Sequence, residues 1–257
     1  MLLTIDVGNT ETKLGCFNGD GDDLEYHWRV TTEARRTPDE YGVFFTQLFS
    51  ASGVDVDAIE AVAIASVVPR LDHTLIEASE RFFGVTPVMF EPHRQQLIAI
   101  RTDRPAEVGA DLVACSVGAV ERHGAPLIII SYGTATVFMA ISSQREYLGV
   151  AIAPGVNVSI DALVGRTAKL PQIALDAPAH AIGRNTVESL QSGIIYGFVG
   201  QTEAMVARIR EEMGVRARVV ATGGLAAVMA KHTAVIEAID PHASLYGLRA
   251  FARESRR

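Results

Sequence analysis

Two short glycine-containing turns, about half a chain apart, constrain this sequence more than any other feature. The first follows the apolar run Leu2-Leu3-Thr4-Ile5 and reads Asp6-Val7-Gly8-Asn9-Thr10. The second follows Leu127-Ile128-Ile129-Ile130 and reads Ser131-Tyr132-Gly133-Thr134-Ala135-Thr136. Each predicts a strand, a tight turn that glycine permits, and a returning strand. A pattern that restarts in mid-chain implies a duplication. Two such turns facing each other could hold the phosphates of one nucleotide between similar half-domains. They differ in one respect: the first opens on the carboxylate of Asp6, the second on the hydroxyl of Ser131.

Residues 2–7 and 13–17 predict a hairpin, and residues 26–30 a further strand. Thr37 as cap, Pro38 in the first helical position and Glu40 three residues after the cap predict a helix start. Tyr41, Phe44, Phe45, Leu48 and Phe49 continue that helix at its period. Residues 61–68 are apolar and β-branched, which suits a buried parallel strand ended by Pro69. A helix over 72–83 and a short strand over 87–90 follow. Residues 91–108, with Pro92 and Pro105, read as a long loop. Gly109-Ala110-Asp111 opens a helix to about Gly118. The hairpin pattern restarts at Leu127, and 147–155 reads as a strand running into a turn. A helix is expected from near Ser159. A long one over 186–213 is expected to be interrupted or tightly packed at Gly193, Gly197 and Gly200. Residues 219–225 predict a strand and a Gly223-Gly224 turn before another helix. A final helix starts near Ser244. Strands alternating with helices imply α/β layers. The restart places a boundary that divides the chain into domains 1–117 and 118–257.

At 257 residues, 48% of them hydrophobic, the chain can bury one large core or two ordinary ones. A net charge of -7 argues against a nucleic-acid partner, and the short basic end at 253–257 does not change that. No apolar run approaches the ~18 residues of a membrane span. The N-terminus meets Asp6 at once without a basic region, unlike a signal peptide. Only Cys16 and Cys115 occur, which suits a reduced, cytoplasmic protein.

Asp6 at a strand end could hold Mg²⁺, directly or through water. Gly8 would let backbone N–H groups approach a phosphate, Asn9 and Thr10 would add neutral donors, and Lys13 would neutralise charge. An ordinary hairpin explains the first turn equally well, and a hairpin explains Gly133 and Thr134 more simply when they are taken alone. Thr222-Gly223-Gly224 could admit an adenine or ribose, although double-glycine turns are common. Asp111 reads first as a helix cap and, more sharply, as a general base for a substrate hydroxyl. The histidines lack metal-ligand spacing. Neither a GxxxxGK[ST] phosphate loop nor a GxSxG nucleophile elbow occurs.

Three glycine turns in this order on a duplicated α/β frame resemble the two phosphate loops and the adenosine loop of the superfamily that contains actin, the Hsp70 ATPase domain and the sugar kinases. The resemblance implies two similar ribonuclease-H-like domains with a nucleotide cleft between them. Within that superfamily the chain resembles the type III pantothenate kinases over nearly its whole length. The matching segments include Arg36-Thr37-Pro38-Asp39-Glu40, Ala65-Ser66-Val67-Val68-Pro69, Glu107-Val108-Gly109-Ala110-Asp111, Ala151-Ile152-Ala153-Pro154-Gly155, Arg166-Thr167-Ala168-Lys169-Leu170-Pro171, Asn185-Thr186-Val187 and Ala221-Thr222-Gly223-Gly224-Leu225.

This family moves the ATP γ-phosphate to the primary hydroxyl of pantothenate, the first step towards coenzyme A. The resemblance implies that Asp6, Val7, Gly8, Asn9, Thr10, Lys13, Gly133, Thr134, Gly223 and Gly224 bind ATP, with Asp6 holding Mg²⁺. Asp111 is implied as the base, and Gly109, Ala110 and Thr186 as pantothenate contacts. A cytoplasmic homodimer is implied, with a monovalent cation, K⁺ or NH₄⁺, near the phosphates. Several positions depart from the family pattern. Leu112 stands where the family has an arginine for pantothenate, Thr102 where it has a tyrosine, and Ser131 where an aspartate binds the cation. A hydroxyl binds K⁺ far less well than a carboxylate, which puts that cation in question. Glu11 adds negative charge beside the first turn. The departures leave two alternatives: a weak or inactive nucleotide-binding paralogue with a regulatory role, or a kinase for another small hydroxylated anion. Arg101 and Arg104 are candidates to meet such an anion.

Overall fold

The computed structural model describes residues 1–18, 23–167 and 170–256. Ala168 and Lys169, within the matching segment 166–171, and Arg257 in the basic end lie outside the described residues.

The expected first hairpin forms from β1 (Leu2–Val7) and β2 (Glu11–Phe17), with Asp6 directly opposite Lys13. β2 begins at Glu11, earlier than expected, because the Gly8 N–H donates to the Glu11 carbonyl at 3.0 Å and closes the turn tightly. β3 (Leu24–Thr31) pairs antiparallel with β2. α1 (Pro38–Ala51) has the predicted capping box: Thr37 Oγ1 accepts from the Glu40 N–H, and Glu40 Oε2 accepts from the Thr37 N–H at 2.7 Å. Its Tyr41, Phe45 and Phe49 enter the core with Leu3, Ile5, Val7 and Leu14.

β4 (Ala61–Ser66) is the predicted parallel strand beside β1. Pro69 does more than end it: proline fits a first helical turn, and Pro69 opens α2 (Pro69–Phe83). β5 (Val88–Met89) completes a five-stranded sheet of order β3-β2-β1-β4-β5. The segment 91–108 is mostly irregular but contains β6 (Ala99–Ile100) and a 3₁₀ turn at Pro105–Glu107. α3 (Ala110–His123) runs past the expected end at Gly118.

The second sheet restarts with β7 (Leu127–Tyr132), β8 (Ala135–Ile141) and β9 (Glu146–Pro154), paired antiparallel in succession. α4 (Val156–Gly165) starts before Ser159; Gly155 occupies its cap without a side-chain bond, so the usual capping signal is missing. α5 (Thr186–Met213) matches its expected bounds, with the Asn185 side chain accepting from the Glu188 N–H. It is neither broken nor tightly packed at its glycines: Gly193, Gly197 and Gly200 are exposed, and an added Cβ would meet nothing within 4 Å. β10 (Arg218–Thr222), α6 (Ala226–Ala230) and β11 (Ala238–Ile239) follow. The sheet order is β11-β10-β7-β8-β9-β6. Without the extra edge strand β6 it repeats the first sheet: a three-stranded meander with two parallel strands on the other side of its first strand.

α7 (Ala243–Glu254) packs against β1 and β4. The chain accordingly forms one compact unit from Met1–Ala99, Asp103–Arg122 and residues from Ala243 onward, and another from Ile100–Thr102 and His123–His242. This differs from the division at residues 117 and 118. Leu245, Leu248 and Ala252 are buried on α7, and their contacts, not sequence position, decide which unit the helix joins.

Candidate active site

In the first unit, β1 and β4 run parallel, so their carboxyl ends lie side by side, Asp6 next to Ala65 and Val7 next to Ser66. Open α/β sheets bind ligands at such ends. Asp6 is 5% exposed, and a buried carboxylate needs partners. Its Oδ2 accepts a 2.6 Å hydrogen bond from Ser244 Oγ and lies 3.7 Å from Lys13 Nζ. Its Oδ1 is buried and, among the described residues, has no hydrogen-bond partner. An orphaned anionic oxygen suits Mg²⁺, which takes one or two carboxylates and completes its shell with water and phosphate. The residues present therefore fit that ion.

Asp111 is the second residue of α3 and not its cap. Gly109 takes the cap position, its carbonyl accepting from the N–H groups of Leu112 and Val113 at 3.1 and 3.2 Å. Asp111 Oδ1 accepts from the Leu112 N–H at 2.8 Å. A Cβ on Gly109 would stand 2.6 Å from that oxygen, so glycine leaves room for the carboxylate. Burial raises the Asp111 pKa to about 6, and the charge of Asp6 adds to the rise; the Leu112 N–H and Lys13 oppose it. The two carboxylates thus feel each other across one site. A base with a pKa just below neutrality is ionised at pH 7 yet still basic enough to take a proton.

The first turn is held from β3's end: the Thr32 N–H donates to the Thr10 carbonyl at 3.0 Å, and Thr32 Oγ1 donates to the Gly8 carbonyl at 2.7 Å. Asn9 and Thr10 are exposed. Val7 is wholly buried, and its carbonyl accepts from the Val67 N–H at 3.0 Å, so its side chain serves the core. Glu11 meets Arg29 at 2.8 Å, which offsets its charge without Lys13.

In the second unit, β7 and β10 run parallel and end together, with Ser131 beside Thr222. Gly223 has φ +89, and a Cβ there would overlap the Tyr132 backbone. A Cβ on Gly155 would overlap the carbonyl oxygens of Gly133 and Thr134, and the Gly155 N–H donates to the Thr134 carbonyl at 3.1 Å. The expected turns at Gly133 and Gly223 are therefore brought into one cluster, and Gly155 is a third member that the sequence marks only as part of a matching segment. Gly224 is exposed. α6, which follows this turn, is only five residues long. Tyr132 is a core residue: its hydroxyl lies 2.7 Å from Thr202 Oγ1, and burial pushes its pKa up to about 12.

Other expected contacts are less concentrated. Thr186 is exposed at the start of α5, Ala110 is buried, and Leu112 is half-buried. Thr102 Oγ1 is buried without a hydrogen-bond partner among the described residues. Arg101 reaches Glu146 at 2.6 Å and Arg104 reaches Glu107 at 2.9 Å, so both candidate arginines already meet carboxylates. Ser244 enters the sequence expectations only as the start of the last helix, not as a site residue. Its partner is 238 residues away, and no local pattern announces the bond.

The model of a family described as Type III pantothenate kinase matches residues 2–208 of this chain. A Type III pantothenate kinase of Myxococcus xanthus (strain DK1622) is 47% identical over 97% of this chain and 96% of its own length. One of Anaeromyxobacter sp. (strain Fw109-5) is 46% identical over 100% of both. Among solved structures, (R)-2-hydroxyglutaryl-CoA dehydratase component A of Acidaminococcus fermentans aligns with a TM-score of 0.54 at 12% identity, covering 100% of this chain and 99% of that one. The fold is of the actin, Hsp70 and sugar-kinase type.

Proposed function

Because the chain belongs to the type III pantothenate kinase family, we propose that it transfers the γ-phosphoryl group of ATP to the primary hydroxyl of pantothenate. The observation that carries this reading is the differentiation of two carboxylates in one unit. Asp6 presents an oxygen without a partner, and Asp111 has its pKa raised to about 6.

Asp111 accepts the hydroxyl proton as the pantothenate oxygen attacks the γ-phosphorus and ADP leaves. Asp6 holds Mg²⁺, which when bound neutralises phosphate charge. Gly8, Asn9, Thr10, Lys13, Gly133 and Thr134 bind phosphate. Gly223 and Gly224 accommodate the adenosine. Gly109 and Ala110 shape the approach to Asp111, and Thr186 contacts pantothenate. Ser131 offers no carboxylate, so turnover does not require K⁺ or NH₄⁺. Cys16 and Cys115 are both buried thiols, which supports a cytoplasmic setting. No helix among the described residues is long and apolar enough to cross a membrane.

A homodimer is part of this proposal. Leu148, Val150 and Ile152 alternate along β9 and are exposed, Ile152 at 67%. The glycine face of α5 is open to close approach by another backbone.

The test is Mg²⁺-ATP turnover with pantothenate, followed as phosphopantothenate by mass. Product that disappears in Asp111→Asn and does not depend on added K⁺ is expected. Nucleotide binding without any phosphopantothenate would overturn the assignment of substrate.

A further inference from the structure

Asp6 is shown above to have all its polar partners on one oxygen. Ser244 Oγ and Lys13 Nζ both address Oδ2, while Oδ1 is buried and bare. The terminal torsion of an aspartate is broad and nearly two-fold, so the backbone alone does not decide which oxygen points where. A short hydrogen bond from a fixed donor does. Lys13 cannot be that donor: at 3.7 Å it supplies charge without a hydrogen bond.

Ser244 is fixed on three counts. It is 4% exposed, so its hydroxyl has no bulk water to turn towards. It lies in the first turn of α7, which packs along β1, the strand carrying Asp6. α7 is also locked in register against α3: a Cβ on Gly118 would overlap the Ala243 carbonyl, and one on Gly247 would overlap the Ala114 carbonyl. Backbone-to-backbone contact of this kind leaves no slack for α7 to slide, and α3 is the helix that carries Asp111.

We propose that Ser244 is a positioning residue for the metal site: its hydroxyl pins Oδ2 of Asp6 and thereby presents Oδ1 to the divalent cation. The proposal rests on the reading of Asp6 as the metal-binding carboxylate. Hydrogen bonds that orient ligating carboxylates commonly contribute 10- to 100-fold to metal affinity. The Ser244 hydroxyl donates to Asp6 Oδ2, so its effect passes through Asp6.

The experiment measures Mn²⁺ binding to the protein saturated with ADP, by electron paramagnetic resonance, and ADP binding in EDTA by calorimetry. Ser244→Ala, Ser244→Thr and Asp6→Asn are compared with the parent protein. Ser244→Ala should weaken Mn²⁺ about 10-fold or more and leave metal-free ADP binding unchanged. Ser244→Thr, which keeps the hydroxyl, should restore most of the affinity. Alanine removes a single oxygen from a helix, and its result decides the matter even if the threonine methyl is not accommodated. Parent-like Mn²⁺ affinity in Ser244→Ala, whatever its melting temperature, overturns the proposal. So does an equal loss of metal-free ADP binding, which would mark a general structural role. If Asp6→Asn also binds Mn²⁺ normally, the reading of Asp6 itself falls; if only Ser244→Ala is normal, that reading stands and the positioning role falls.

Discussion

In the proposed mechanism, Asp111 joins catalysis and stability through one ionisation. Its pKa is raised from the ordinary 3.8 to about 6, first by burial and then by Asp6. As a base it works only when ionised, so kcat/KM should climb as pH rises through about 6 and then level off. Asp111→Asn should lower kcat by roughly 10²- to 10⁴-fold. The same shift has the opposite sign for stability. The folded state holds the proton more tightly than the unfolded chain does. Its contribution is complete below the unfolded value and is lost as pH rises through about 6. Asp111→Asn should therefore stabilise the ligand-free protein at pH 8, by on the order of 1–3 kcal/mol, with most of the gain gone at pH 4. Thermal melts at the two pH values check this, and a variant less stable than its parent at pH 8 would contradict the electrostatic account. The sequence displays Asp6 and Asp111 because each sits two residues from a glycine at an element end. It does not display Ser244, since a bond spanning 238 residues leaves no local trace.

Elements whose ends carry their own chemistry are the ones the sequence defines well. α1 starts at Pro38 because Thr37 and Glu40 satisfy each other's backbone groups. α5 begins after Asn185 for the same kind of reason. α4 has only Gly155 at its start, and that glycine is there to pass the Gly133–Thr134 turn, so periodicity misplaces the helix. Propensity ends α3 at Gly118, yet that glycine is a point of close approach to α7. Its partner Gly247 makes the sharper test. Gly247→Ala places a methyl group against the Ala114 carbonyl oxygen, and overpacking of this kind should cost about 1–3 kcal/mol. Chemical denaturation should show a lower midpoint. An unchanged midpoint would mean the two helices can part without penalty.

The duplication was readable at the scale of the whole molecule, since both halves run hairpin, strand, then parallel partners, and both sheets keep that order. The allegiance of α7 was not. An amphipathic helix declares that it will be buried but not where, and Leu245 and Leu248 find their place in the unit begun by β1. The exposed residues of β9 make the assembly testable. Ile152→Glu should convert a dimer to a monomer in sedimentation velocity without changing the far-ultraviolet spectrum. A parent protein that sediments as a monomer at micromolar concentration would remove homodimerisation from the proposal. The return of α7 also sets a timetable for biosynthesis. Ser244 is translated 238 residues after Asp6, roughly 10–50 s later at ordinary elongation rates. Through that interval the nascent first unit has an uncovered strand face and an aspartate without its hydroxyl partner. Chaperones on the ribosome would therefore meet an unfinished first unit, and a message cut short before α7 yields a chain whose Asp6 never gains the Ser244 hydroxyl.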